Sequence, residues 1–203
     1  MILVVCALPA ELRDFAKRAG VEILAVGVGP VEAAAATARA LALGRYRAVV
    51  NAGIAGAFRG RAAIGDALLV VEERLADFGL EGGGALSLPG GASLAGTAAA
   101  DANLVAACGG LPYPQARGLT VSQVTATAAT AERFTAAYAP DVESMEGFAV
   151  LRAAELAGVP GLEVRGISNY VGDRERSEWN FGAGARATSH ALADLLDCLE
   201  RAA

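Results

Sequence analysis

The sequence predicts an α/β fold: a three-layer sandwich around a mixed, mostly parallel central sheet. Apolar runs rich in Val, Ile and Leu alternate with helix-like segments along the chain. That is the pattern of strands buried on both faces and joined by crossover helices. Strand patterns also cluster in the middle of the chain, which adds antiparallel members. Finally, 203 residues suit one domain spanning 1–203, because a domain takes about 100–200 residues.

The elements follow in order. Residues 1–7 form a buried strand. Pro9 is tolerated in a first helical turn, and 11–19 reads as a short helix. Glu11 then lies just past the end of a strand, the edge where open α/β sheets bind ligands. It is either a solvated first-turn acid or a site residue. A second strand covers 21–27, and Gly27-Val28-Gly29-Pro30 turns tightly into an alanine-rich helix over 31–43. This G-x-G is not a full dinucleotide fingerprint, since Glu32 stands where the third glycine belongs.

Residues 47–51 are a third strand. The small residues of 52–58 then read as a loop, either an ordinary connection or one whose backbone lies against something flat or bulky. A fourth strand takes 64–72, and 73–98 is a glycine-punctuated excursion. Residues 98–108 read as a helix and 117–122 as a fifth strand. Thr125-Ala126-Thr127 precedes a short helix with Thr130 as its N-cap. The approach through Val142 leads into Glu143-Ser144-Met145-Glu146-Gly147, and a helix over 148–157 follows at once. A helix N-terminus favours a carboxylate, so Glu146 is expected to stay ionised there. Its two acceptor oxygens suit adjacent hydroxyls, or Glu143 and Glu146 are simply the acids favoured in or beside a helix's first turn. A last strand covers 162–168 and a C-terminal helix 182–201. The loop between them is polar, charged and aromatic, and carries the only tryptophan, Trp179. It reads as a functional segment.

Composition narrows the function. A net charge of −5 disfavours a nucleic-acid surface. No apolar run approaches the ~18 residues of a membrane span, and the N-terminus lacks a basic region of the signal-peptide kind. Cys6, Cys108 and Cys198 are odd in number and widely spaced, which predicts a cytoplasmic protein without disulfides. His190 is the single histidine. Histidine-rich metal sites are thereby excluded, and carboxylates become the expected acid and base.

Three stretches together carry a resemblance: CALPAE at 6–11, NAGIAG at 51–56, and VESMEG at 142–147 with VRGISN at 164–169. In this order and spacing they resemble the nucleoside phosphorylase/nucleosidase superfamily, in its methylthioadenosine/S-adenosylhomocysteine nucleosidase branch. The resemblance covers residues 2–196 and implies a nucleoside phosphorylase-like fold. ESMEG at 143–147 and RGISNYVGDRERSEWNF at 165–181 resemble the futalosine hydrolase subfamily, enzymes of an alternative menaquinone pathway, more than its relatives.

The resemblance implies roles by position. Glu146 would accept both ribose hydroxyls, Met145 would pack against the sugar, and Glu11 would orient and deprotonate the attacking water. Gly53, Ile54 and Ala55 would line the sugar and water site, and Thr125, Ala126 and Thr127 would sit beside the purine. Asn169 departs from the methylthioadenosine nucleosidases, which have an aspartate here. An amide offers a carbonyl to N7–H and an NH2 to O6 of a 6-oxopurine, whereas the amino group of adenine would clash with it. Arg174 and Arg176 would pair with the carboxylate on the side arm of futalosine, or with Asp173, Glu175 or Glu178.

The expected activity is hydrolysis of the N-ribosidic bond of futalosine, with release of hypoxanthine. The alternatives are a methylthioadenosine/S-adenosylhomocysteine or aminodeoxyfutalosine nucleosidase, a purine nucleoside phosphorylase, and a noncatalytic purine-nucleoside binder. The expected partner is a small-molecule purine nucleoside, with no cofactor, metal, nucleic acid or membrane. A homo-oligomer is expected, with a dimer favoured.

Overall fold

The strand β1 (Ile2–Cys6) is buried along its length and sends alternate side chains to opposite layers. In the computed structural model, which describes residues 1–81, 88–172 and 179–201, Leu3 and Val5 meet helix α1 (Pro30–Leu43) through Ala33. They also meet helix α4 (Gly147–Leu156) through Ala149 and Val150. On the other face Ile2, Val4 and Cys6 pack against Leu192, Leu195, Leu196 and Leu199 of the C-terminal helix α5 (Phe181–Arg201). The sheet is the middle layer of a sandwich, as the alternation of patterns predicts.

The remaining elements are β2 (Val21–Ala25), β3 (Ala48–Ala57), β4 (Ala67–Leu75), β5 (Thr97–Ala99), α2 (Ala102–Ala107), β6 (Gln115–Thr120), α3 (Ala128–Tyr138), β7 (Val142–Ser144) and β8 (Gly161–Tyr170). β2, β1, β3 and β8 run parallel, with β1 against the first half of β3. β7 pairs antiparallel with Gly56 and Ala57 where β1 has ended. β8 pairs antiparallel with β4, β4 parallel with β6, and β6 parallel with β7. The strands β3, β8, β4, β6 and β7 therefore close a ring. Its apolar filling takes side chains from every member: Ala55, Ala57, Leu68, Val70, Ala116, Val142 and Ile167.

Four local expectations change. Residues 11–19 do not form a helix. A 3-10 turn at Pro9–Leu12 is followed by irregular chain, held by i→i+3 bonds from Glu11 N–H to Leu8 C=O and from Phe15 N–H to Leu12 C=O. Only Glu11 and Leu12 of that turn are buried, and a helix this short of ~12–15 residues does not hold itself. Residues 52–57 are strand rather than loop, because β8 and β7 pair with both edges of this segment. The start of the helix expected over 98–108 is taken by β5, which pairs with β4 and leaves α2 only from Ala102. Helix α3 starts three residues earlier than expected: its N-cap is Thr127, whose hydroxyl accepts the N–H of Thr130. All three cysteines are buried and unpaired. Among the described residues no helix is long and apolar enough to cross a membrane.

Candidate active site

The carboxyl ends of β1, β3, β7 and β8 converge on a cavity of about 260 Å³. Glu11 reaches it from the 3-10 turn after β1. Its carboxylate accepts two backbone N–H groups, from Leu8 at 2.9 Å and from Ile54 at 3.0 Å. The side chain is thereby fixed while each oxygen keeps a lone pair for another donor. Gly53 makes this approach possible, since a Cβ there would lie 2.8 Å from Glu11 Oε1 and 2.6 Å from Arg165 Nη1. Cys6 lies close by, but burial and the charge of Glu11 push its thiol up to about 12, so it is no thiolate nucleophile at neutral pH.

Glu146 stands at the N-cap of α4 but makes no side-chain capping bond. Its anion is not held as the helix-terminus argument predicted. Instead Oε1 accepts the N–H of Gly29 at 2.9 Å, and Oε2 lies 3.9 Å from Arg165 Nη1. Gly29 sits at φ 101, ψ 162, a conformation open essentially to glycine alone, and this presents its N–H to Glu146. Burial raises the pKa of Glu146, and Arg165 and the Gly29 bond pull it back.

Beneath these carboxylates lies a buried ionic cluster that our sequence reasoning missed. Arg165 is 1% exposed, with Nε donating to Glu163 Oε1 at 2.7 Å and Nη1 reaching Ile54 C=O at 3.5 Å. Burial works against its charge, but Glu163, Glu146 and Glu11 outweigh it and hold its pKa above the ordinary guanidinium range. Glu73 of β4 is also fully buried and hydrogen-bonded by Thr120. The signal was legible: Glu163 and Arg165, two apart in an apolar strand, must share one face.

The other wall is set by Glu143, whose carboxylate accepts both the N–H and the hydroxyl of Thr125. Burial raises the pKa of Glu143, and the Thr125 bonds lower it. The amide of Asn169 is oriented by its neighbours. Oδ1 accepts from the Ser168 hydroxyl at 2.8 Å, and Nδ2 donates to Tyr170 C=O at 3.1 Å. One acceptor lone pair and one N–H remain for a ligand. Trp179 and Phe181 also line the cavity.

Of the residues predicted from sequence, Glu11, Ile54, Ala55, Thr125, Met145, Glu146 and Asn169 line this cavity. Gly53 lies behind Glu11. Ala126 and Thr127 are outside the lining, with Thr127 turned to capping α3. Arg174 and Arg176 lie outside the described residues. Glu143 and Ser168 join the site without having been singled out as site residues, because their partners lie on other strands or turns.

The phosphorylase superfamily pattern matches residues 18–202, beginning just after Glu11. The chain is 41% identical over 198 residues to a futalosine hydrolase of Streptomyces coelicolor, covering 89% of this chain and 80% of that one. It is 34% identical over 186 residues to a futalosine hydrolase of Thermus thermophilus, covering 89% and 83%. The futalosine hydrolase structure of Helicobacter pylori shares the fold at a TM-score of 0.79 and 18% identity, over 97% of each chain. A methylthioadenosine/S-adenosylhomocysteine nucleosidase from Colwellia psychrerythraea, in complex with adenine, shares it at 0.80 and 21%, over 98% of this chain and 95% of that one. At such identities the structural matches speak for the fold alone. The sequence matches go further, and by them this chain belongs to the phosphorylase superfamily and, within it, to the family of the futalosine hydrolases.

Proposed function

We propose that this chain hydrolyses the N-ribosidic bond of futalosine, releasing hypoxanthine and dehypoxanthine futalosine in menaquinone biosynthesis. The observation that carries the reading is that two buried carboxylates, Glu11 and Glu146, open onto one cavity with the oriented amide of Asn169. Glu146 accepts the two ribose hydroxyls with the acceptor capacity that Gly29 leaves free. The C1′–N bond breaks with its electron pair going to the purine. Water adds its oxygen to C1′ and gives its proton to Glu11. The carboxylates stabilise the positive charge that builds on the sugar. A proton from solvent water neutralises the departing purine at N7, and Asn169 holds that 6-oxopurine, accepting from N7–H and donating to O6.

The test is chromatography of the products from purified protein and futalosine in phosphate-free buffer. Inosine, methylthioadenosine and aminodeoxyfutalosine run beside it. Hypoxanthine from futalosine is expected. Adenine from methylthioadenosine, or release only after phosphate is added, would overturn the reading.

Base choice gives a sharper check. Asn169→Asp removes the donor to O6 and faces that oxygen with a second acceptor. A lost hydrogen bond of roughly 1.5–3 kcal/mol predicts a fall of about 10- to 100-fold in kcat/KM for futalosine. The ratio of aminodeoxyfutalosine to futalosine turnover should rise. An unchanged ratio would remove Asn169 from base selection.

A further inference from the structure

We propose that Glu73 and Glu163 are a positioning pair, holding one proton between their carboxyl groups and fixing Glu146 through two separate links. The proposal rests on the reading of Glu146 as the ribose ligand. Both side chains are fully buried, one on β4 and one on β8. Glu73 Oε1 and Glu163 Oε2 have no donor among the described residues, yet a Cβ placed on Gly147 would lie 2.2 Å from Glu73 Oε1 and 2.7 Å from Glu163 Oε1, so the two carboxyl groups crowd into one space. Two ionised carboxylates can only accept and repel, whereas one proton turns the contact into an O–H donor and its acceptor. Glu73 is the holder: burial first, and the Glu163 charge second, push its carboxyl well above the ordinary range.

The first link runs through Arg165, whose Nε is held by Glu163 at 2.7 Å and whose Nη1 faces Glu146 at 3.9 Å. The second runs through Thr120. Its hydroxyl donates to Glu73 Oε2 at 2.8 Å and accepts the N–H of Phe148, in the first turn of α4, at 2.7 Å. The backbone after Glu146 also rests on the pair. A Cβ at Gly147 would lie 2.2 Å from Glu73 Oε1 and 2.7 Å from Glu163 Oε1, and one at Gly118 would lie 1.9 Å from Glu73 Oε1. The glycine of the Met145-Glu146-Gly147 motif is therefore space for a carboxyl pair. The charged groups facing Glu73 are Glu163 and Arg165, both of β8, with Glu146 and Glu11 beyond Arg165. From β6 and α4 it meets Thr120, Gly118 and Gly147, none of which titrates.

Three readouts test the pair. Infrared difference spectra of the wild type at pH 8 should show a protonated carboxyl band that is lost in both Glu73→Gln and Glu163→Gln. Glu73→Leu should lower kcat for futalosine by about 10²-fold, the scale of a small misplacement. Glu73→Gln, whose amide donates as the protonated acid does, should restore most of it. Melting temperature adds a sign. A raised folded-state pKa gives stability that is complete below the ordinary glutamate value and lost as pH rises through the folded value. Glu73→Gln lacks that slope, so its melting temperature relative to wild type should climb with pH.

A wild type without the band would overturn the proposal, as would a Glu73→Leu variant with full turnover or a Glu73→Gln variant no better than it. Should the wild type release no base from futalosine, the functional reading fails by itself. The band and the melting slope then still judge the pair, with affinity for inosine, by calorimetry, in place of turnover.

Discussion

Glu11→Gln should abolish most turnover while leaving a folded protein. As general base, Glu11 contributes on the order of 10²–10⁴ in rate, and the amide cannot take a proton from water. The substitution also disturbs the backbone. Both oxygens of Glu11 accept main-chain N–H groups, from Leu8 and Ile54. A glutamine satisfies one of them and turns an NH2 toward the other. That mismatch costs about 1–3 kcal/mol of stability, against the roughly 3–5 kcal/mol of activation free energy that the kinetic loss represents. The two effects separate by experiment: single-turnover kinetics report the lost base, and thermal melting reports the strained turn. Binding of inosine should persist, because Glu146 and Asn169 are untouched. If Glu11→Gln and Glu146→Gln both turned over futalosine near the wild-type rate, the assignment of the site would be wrong.

Arg165→Met should be the most destabilising single change in the site. Arg165 is the one cation facing Glu11, Glu146 and Glu163 among the described residues, and its side chain is 1% exposed. Removing one partner from a buried ionic cluster costs roughly 3–5 kcal/mol, because the remaining charges are left uncompensated. For a chain of this size that lowers the melting temperature by roughly 6–20 °C. The deficit depends on pH with a definite sign. Arg165 pulls down the pKa of Glu146 and of Glu73, both raised by burial, so its loss raises them further and protonation relieves them. Stability is then retained at low pH and lost as pH rises. The deficit should therefore be larger at pH 8 than at pH 5. Arg165→Lys should recover part of the stability but not the bond from Nε to Glu163. A wild-type melting curve for Arg165→Met at pH 8 would show that the cluster is not ionic.

Membership of the site was legible where short stretches carry a family resemblance. By local pattern alone Glu11 and Glu146 fit ordinary first-turn acids, and the resemblance of the stretches around them, with VRGISN for Asn169, singled out all three. All three line the cavity. The reading failed where a segment's state depends on its neighbours. Residues 52–57 look like a loop by composition, since Gly and Ala are poor strand formers. They are strand because β8 lies along one edge and β7 meets the other. Residues 11–19 look helical, yet too few of them are buried to hold a helix.

The sequence by itself determined the layered α/β class, the order of most elements and the identity of the acid–base candidates. Alternation of apolar residues and local turn chemistry act over a few residues. Tertiary structure alone decided how the sheet closes into a ring, and hence that Glu73, 90 positions before Glu163 along the chain, shares one buried space with it. It alone turned Glu146 away from its own helix toward Gly29 and Arg165. The physical reason is that a buried charge takes its state from whatever surrounds it, and here those surroundings come from four strands and two turns remote in sequence.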